Sequence, residues 1–167
     1  MPQLEHRPNR LQRSLFFIPK SALGSGIAAR FLHYVDGPVL RLSGGRYSVT
    51  SLFAGLPIVN VTTIGAKSGQ PRSVPLVAIP DGAQVILIAS NFGQKRHPAW
   101  YYNLRAHPEV QLTYEGKTVT YLARETAGAE RERCWQRAVD LYSGYAAYKR
   151  RAEQRTIGVF LLTPQEK

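Results

Sequence analysis

The chain reads as an α+β protein built on a small antiparallel barrel, and three observations lead there. Six β-type runs follow one another from residue 57 onward. Tight-turn dipeptides join neighbouring runs, and helical stretches fall between and outside them. With 167 residues and 44% hydrophobic content, the chain is long enough for one sizeable core and too short for two full domains.

Residues 1–20 form a basic arm, polar and aperiodic as far as Arg13, and residues 21–167 form the single domain. From Ser21 to Tyr34, Leu23, Ile27 and Phe31 recur at helical spacing until Asp36-Gly37-Pro38 ends the pattern. Gly24-Ser25-Gly26 imitates a dinucleotide fingerprint, but no strand leads into it. Val39 to Leu56 shows no clean period and reads as a loop with a short strand. The β-type runs are Pro57–Thr63, Arg72–Ile79, Gln84–Ser90, Glu109–Tyr114, Lys117–Arg124 and Thr156–Thr163. Asp81-Gly82 and Glu115-Gly116 are turn dipeptides, so the first three runs form a meander and the next two a hairpin. Between the third and fourth runs, Pro98 suits a first helical turn, Trp100 and Leu104 share a face, and Pro108 stops the helix. A second helix spans Ala127 to Leu141 with Trp135, Ala138 and Val139 on one side, and a third runs from Gly144 to Arg155.

Twenty-two Lys and Arg against eleven Asp and Glu leave a net charge of +11, which attracts anionic partners: a polyanionic small molecule, an acidic membrane surface or nucleic acid. The single cysteine, Cys134, excludes an internal disulfide, no metal spacing is present, and a cytoplasmic location follows as the expectation. Leu15-Phe16-Phe17-Ile18 is too short for a signal peptide core or a membrane span, although beside basic residues it suits contact with the inner face of a membrane.

Two loops flank the second and third β-type runs. The first is Gly65-Ala66-Lys67-Ser68-Gly69-Gln70-Pro71-Arg72 and the second Ser90-Asn91-Phe92-Gly93-Gln94-Lys95-Arg96-His97-Pro98. Both carry cations and glycine, so a compact fold that brings them to one rim offers backbone amides and charged tips to an anion such as a phosphorylated ligand. The ordinary alternative for the first loop is a plain hairpin turn.

The run Thr-Thr-x-Gly-x-Lys-Ser-Gly-x-Pro-Arg-x-Val-Pro from Thr62, followed by Ala-Ser-Asn-x-Gly from Ala89 and His-Pro-Ala-Trp-Tyr-x-Asn-Leu from His97, resembles the deazaflavin-dependent nitroreductase family. The resemblance extends from about Gly37 to Pro164. It implies a split β-barrel and coenzyme F420, whose reduced form is a hydride donor, with a quinone, an enone or a nitroaromatic as acceptor. The family's loops hold the cofactor's phosphate and acidic tail, which carries over to Lys67, Ser68, Gly69, Arg72, Pro75, Ser90, Asn91, Gly93, Lys95 and Arg96. Ala66 stands where relatives commonly have a basic residue, and Arg96 offers a replacement charge. His97 suits a proton donor or a packing residue, and Trp100 suits either the cofactor region or the core.

Tyr142, Tyr145 and Tyr148 recur every three residues and would cover one broad helical face, with Gly144 allowing a bend. Three phenols are an unusual core, since each buried hydroxyl needs a partner. The resemblance makes them the acceptor-side wall or a proton donor. Two alternatives stay open: a split barrel binding flavin mononucleotide, or a non-catalytic basic protein using Lys149, Arg150, Arg151 and Arg155 on an anionic membrane or nucleic acid.

Overall fold

The computed structural model describes residues 56–165, so the N-terminal arm, the 21–34 helix and the membrane-contact expectation lie outside the described residues. Seven strands form one antiparallel sheet: β1 (Ile58–Ile64), β2 (Pro71–Val77), β3 (Ile79–Asp81), β4 (Gln84–Ile88), β5 (Glu109–Tyr114), β6 (Lys117–Glu125) and β7 (Val159–Pro164). Their order is β2-β1-β5-β6-β7-β4-β3. The end strands β2 and β3 are consecutive pieces of one run, so the sheet curls until its two edges meet in that run. The single run expected at Arg72–Ile79 breaks at Ala78, whose N–H donates to the Pro57 carbonyl (2.8 Å) while hydrogen-bonding passes from β1 to β4. This is the split barrel.

The turns follow their residues. Glu115 and Gly116 both have positive φ (48° and 76°), the two-residue hairpin geometry that closes β5 on β6. Gly82 (φ 64°) starts the two-residue turn between β3 and β4.

Among the described residues three α-helices accompany the sheet: α1 (Ala99–Ala106), α2 (Gly128–Leu141) and α3 (Gly144–Arg151). Pro98 lies one position before α1, in extended conformation (ψ 156°), and not in its first turn. The third helix ends at Arg151, four residues short of expectation, and β7 begins at Val159, three residues later than expected.

Strands β4 and β7 are apolar on both faces because they separate two cores. Val85, Leu87, Phe160 and Leu162 face the barrel interior with Val59, Val61, Val110 and Leu112, closed by Trp100, Tyr101 and Leu104 of α1. The alternate residues Ile86, Ile88, Val159 and Leu161 face α2 and α3, meeting Trp135, Ala138, Tyr145 and Tyr148. Full burial of each such aliphatic side chain stabilises by about 1.5–3 kcal/mol. The ion pairs of Arg133 and Arg137 with Asp81 (2.8 and 3.4 Å) tie α2 to β3, and pairs with such exposed arginines add at most about 1 kcal/mol each. Cys134 is fully buried among these apolar residues, as expected, and burial pushes its thiol up, which keeps it unreactive.

Candidate functional site

The first loop closes β1 on β2. The Gly65 N–H donates to the Gln70 carbonyl (2.9 Å), the Gly69 N–H to the Gly65 carbonyl (2.8 Å), and Gly69 has φ 63°. Ser68 Oγ accepts from the Gln70 N–H (3.3 Å), leaving its hydroxyl proton to donate elsewhere. Lys67, Ser68, Gly69 and Arg72 are exposed, and Pro75 sits half-buried on β2 opposite Asn60. The loop is pinned from below by Asn103 of α1, which is 7% exposed. Its Oδ1 accepts from the Ala66 N–H (2.9 Å), and its Nδ2 donates to Thr63 Oγ1 (3.0 Å).

The second loop leaves β4 through a short 3-10 turn, Asn91–Gly93. Asn91 (φ 46°), Phe92 (φ 55°) and Gly93 (φ 78°) are three consecutive left-handed residues. For the two non-glycines this conformation costs of order 1–3 kcal/mol each and persists only where surroundings enforce it. Asn91 Nδ2 donates to the Arg96 carbonyl (2.9 Å), so this side chain shapes the loop from within. Gly93 presses on α3: a Cβ there would meet the Tyr148 carbonyl oxygen at 2.9 Å and Arg151 Cβ at 2.7 Å. Arg155 binds the loop's other side. Its Nε donates to the Gln94 carbonyl (2.9 Å), its Nη1 to the Ala89 carbonyl (3.2 Å), and its Nη2 to the Ser90 carbonyl (2.6 Å).

His97 stacks on Tyr101 with ring centroids 4.0 Å apart, and its Nδ1 lies 3.3 Å from Arg155 Nη1. A guanidinium only donates, so Nδ1 accepts and the ring is neutral with its proton on Nε2. Burial and the Arg155 charge hold His97 below its ordinary pKa. His97 makes no cap on α1, and packing is the role its contacts show.

Helix α1 joins the two loops. Loop two runs into its first turn, and loop one hangs on Asn103, about 6 Å further along the axis at 1.5 Å per residue. Lys67, Arg72, Lys95 and Arg96 are exposed at these turns and enter no side-chain hydrogen bond or ion pair among the described residues. The N–H groups of Gly65, Ala66, Gly69, Gln70, Ser90, Gly93 and Gln94 donate to acceptors in or beside the turns. Ser90 is nearly buried (9% exposed). Trp100 is packed against Phe160 in the barrel core (5.9 Å between centroids).

The tyrosines do come together, by a different route from a shared helix. Tyr142 is the extended residue that ends α2 (φ −144°, ψ 101°), and only Tyr145 and Tyr148 belong to α3. Their three ring centroids lie 5.5 to 6.1 Å apart, and the Tyr142 and Tyr148 hydroxyls are 3.3 Å apart. Gly144 has no positive φ; its lack of a Cβ makes room for the Tyr142 ring, which a side chain there would strike. Burial pushes the Tyr145 and Tyr148 phenols well above their ordinary range, so both stay neutral and keep a hydroxyl proton for hydrogen bonding. Phe92 meets the Tyr148 ring edge-on at 5.9 Å, which joins loop two to the tyrosine cluster.

Two residues central to this geometry were not singled out by sequence reasoning. Asn103 carried a signal, a polar residue three positions from Trp100 on the apolar face of a short helix. Arg155 carries none: in the sequence it belongs to the basic cluster with Lys149, Arg150 and Arg151, and in the structure its guanidinium bonds to loop two.

Comparison with known proteins places this geometry. A family model described as F420H(2)-dependent quinone reductase matches residues 38–164. The F420H(2)-dependent quinone reductase of Mycobacterium tuberculosis (strain ATCC 25618 / H37Rv) is 33% identical over 110 residues, covering 64% of this chain and 73% of that protein. The solved structure of an F420-H2 dependent reductase, FDR-A, is 41% identical with a TM-score of 0.58, covering 64% of this chain and 93% of its own. HutZ, the heme storage protein of Vibrio cholerae, is 11% identical with a TM-score of 0.52, covering 66% of this chain and 83% of its own, and shares the fold alone. The chain therefore belongs to the F420H(2)-dependent quinone reductase family and is an oxidoreductase whose hydride donor is reduced coenzyme F420.

Proposed function

We propose that this enzyme reduces a quinone, gripping the cofactor's anionic parts with its two cationic loops and facing the acceptor with its tyrosines. The observation that carries the reading is the set of four exposed cations, Lys67, Arg72, Lys95 and Arg96, on two turns fastened to one short helix. That donor set fits a phosphorylated ligand with an acidic tail, because charge-assisted bonds to such groups are the strong ones. Arg96 beside Lys95 makes up for the missing cation at Ala66. Ser68 and Ser90 supply hydroxyl donors, and Gly69, Asn91 and Gly93 set the loop shapes. Pro75 lines the cofactor's surroundings, and His97 and Trp100 stiffen them by packing on Tyr101 and Phe160.

When bound, reduced coenzyme F420 supplies the hydride. The chain's part is to hold donor and acceptor in register, exclude water and deliver a proton to the reduced oxygen. Tyr148 and Tyr142 share a hydroxyl contact and suit that proton delivery, while Tyr145 anchors the cluster in the core.

The test has two arms. Fluorescence titration with oxidised coenzyme F420 and with flavin mononucleotide is expected to give saturable binding with the deazaflavin and much weaker binding with the flavin. Oxidation of the reduced cofactor is expected to be faster with a naphthoquinone than with a nitroaromatic or an enone. Saturable binding of flavin mononucleotide alone would replace this reading with that of a flavin split barrel. A preference for the nitroaromatic would keep the cofactor and change the acceptor.

A further inference from the structure

We propose that Arg155 is the positioning residue that fixes loop two in the shape that receives the cofactor. The proposal rests on loop two being a cofactor loop, as argued above. Three backbone carbonyls of the loop and its flank, those of Ala89, Ser90 and Gln94, converge on this one guanidinium, which also reaches His97 Nδ1. The contacts bracket the three left-handed residues on both sides: Ala89 and Ser90 precede them, and Gln94 and His97 follow. A backbone shape that the chain disfavours is thus enforced from a segment about sixty residues away. Gly93, having no Cβ, lets the loop so held pack directly on the Tyr148 backbone and Arg151 of α3.

The guanidinium is suited to this by geometry more than by charge. Its donors are fixed in one plane and reach several carbonyls at once, whereas a lysine ammonium is a point charge with three rotatable donors. Arg155 is itself half-buried and its donors are engaged by the loop, so it acts through the loop and does not touch the anion. Lys95 and Arg96 keep their exposed positions because the chain between Ser90 and His97 is held at both ends.

The experiment compares wild type with Arg155→Lys and Arg155→Ala. Hydrogen exchange of the Gly93 and Gln94 amides is followed without ligand, and coenzyme F420 affinity and steady-state kinetics are then measured with a naphthoquinone. Both variants are expected to exchange these amides at least about tenfold faster and to bind the cofactor about tenfold more weakly, the scale of one lost charge-assisted bond. Their kcat at saturating cofactor is expected to stay close to wild type, which a general loss of structure would not allow. Full recovery of exchange protection and affinity by lysine would overturn the proposal in favour of simple charge. So would unchanged amide exchange in Arg155→Lys, the variant that keeps the charge and the burial should alanine fail to fold. Absence of coenzyme F420 binding in wild type would instead strike the cofactor reading, a result that the ligand-free exchange data keep separate.

Discussion

Asn103 shows how much one buried amide can decide. It satisfies the Ala66 N–H and the Thr63 hydroxyl together, so its loss leaves polar groups unpaired beneath loop one. Asn103→Ala is expected to cost about 1–3 kcal/mol of stability, read in denaturant unfolding, and to weaken cofactor binding as loop one loosens. Asn103→Ala with wild-type stability and affinity would remove this residue from the account. His97 offers a second measurement at this scale. Its folded pKa lies below the ordinary 6.5, so the unfolded chain binds the extra proton first. Stability from this site is therefore full above about pH 6.5 and declines as the pH falls toward the folded value. Titration of His97 by NMR is expected to place it below an exposed histidine, and Arg155→Ala to move it back upward. Such residues differ in legibility. Asn103 breaks an apolar helical stripe and can be seen in the sequence, whereas Arg155 meets partners up to 66 positions away and looks like any surface arginine.

At the scale of elements, two glycines near α3 are expected to respond differently to the same change. Gly93→Ala would put a methyl group against the Tyr148 backbone, in a conformation (φ 78°) that side chains rarely adopt. Backbone cannot step aside, so this variant is expected to be clearly destabilised and to lose cofactor affinity. Gly144→Ala would strike only the far end of the Tyr142 ring, which can rotate away. Its stability is expected to change little, while the Tyr142–Tyr148 hydroxyl contact opens and the KM for the quinone rises. Thermal melts with quinone kinetics check both. The spacing of the three tyrosines foretold their meeting and missed its cause, because Tyr142 ends one helix and reaches the others through the space over Gly144. The break between β2 and β3 was hidden for a similar reason: apolar side chains run on through Ala78, and only the hydrogen-bond partner changes.

Over the whole molecule, the barrel was legible because period-two burial and turn dipeptides are local signals, and its closure needs only the order in which strands pair. The surplus charge was legible too, though composition could not say where it acts. The structure places four exposed cations, unpaired among the described residues, on two turns at one helix, and the family supplies the polyanion they suit. The most direct test is the affinity for coenzyme F420 of wild type against the Lys67→Ala/Arg72→Ala variant, measured at low and high salt with thermal melts alongside. Exposed cations contribute little to folding but charge-assisted phosphate bonds are strong, so the account predicts an affinity loss of at least about tenfold at unchanged melting temperature. High salt should weaken wild type toward the variant. Equal affinities in the two proteins at low salt would contradict the account and return the first loop to an ordinary hairpin turn.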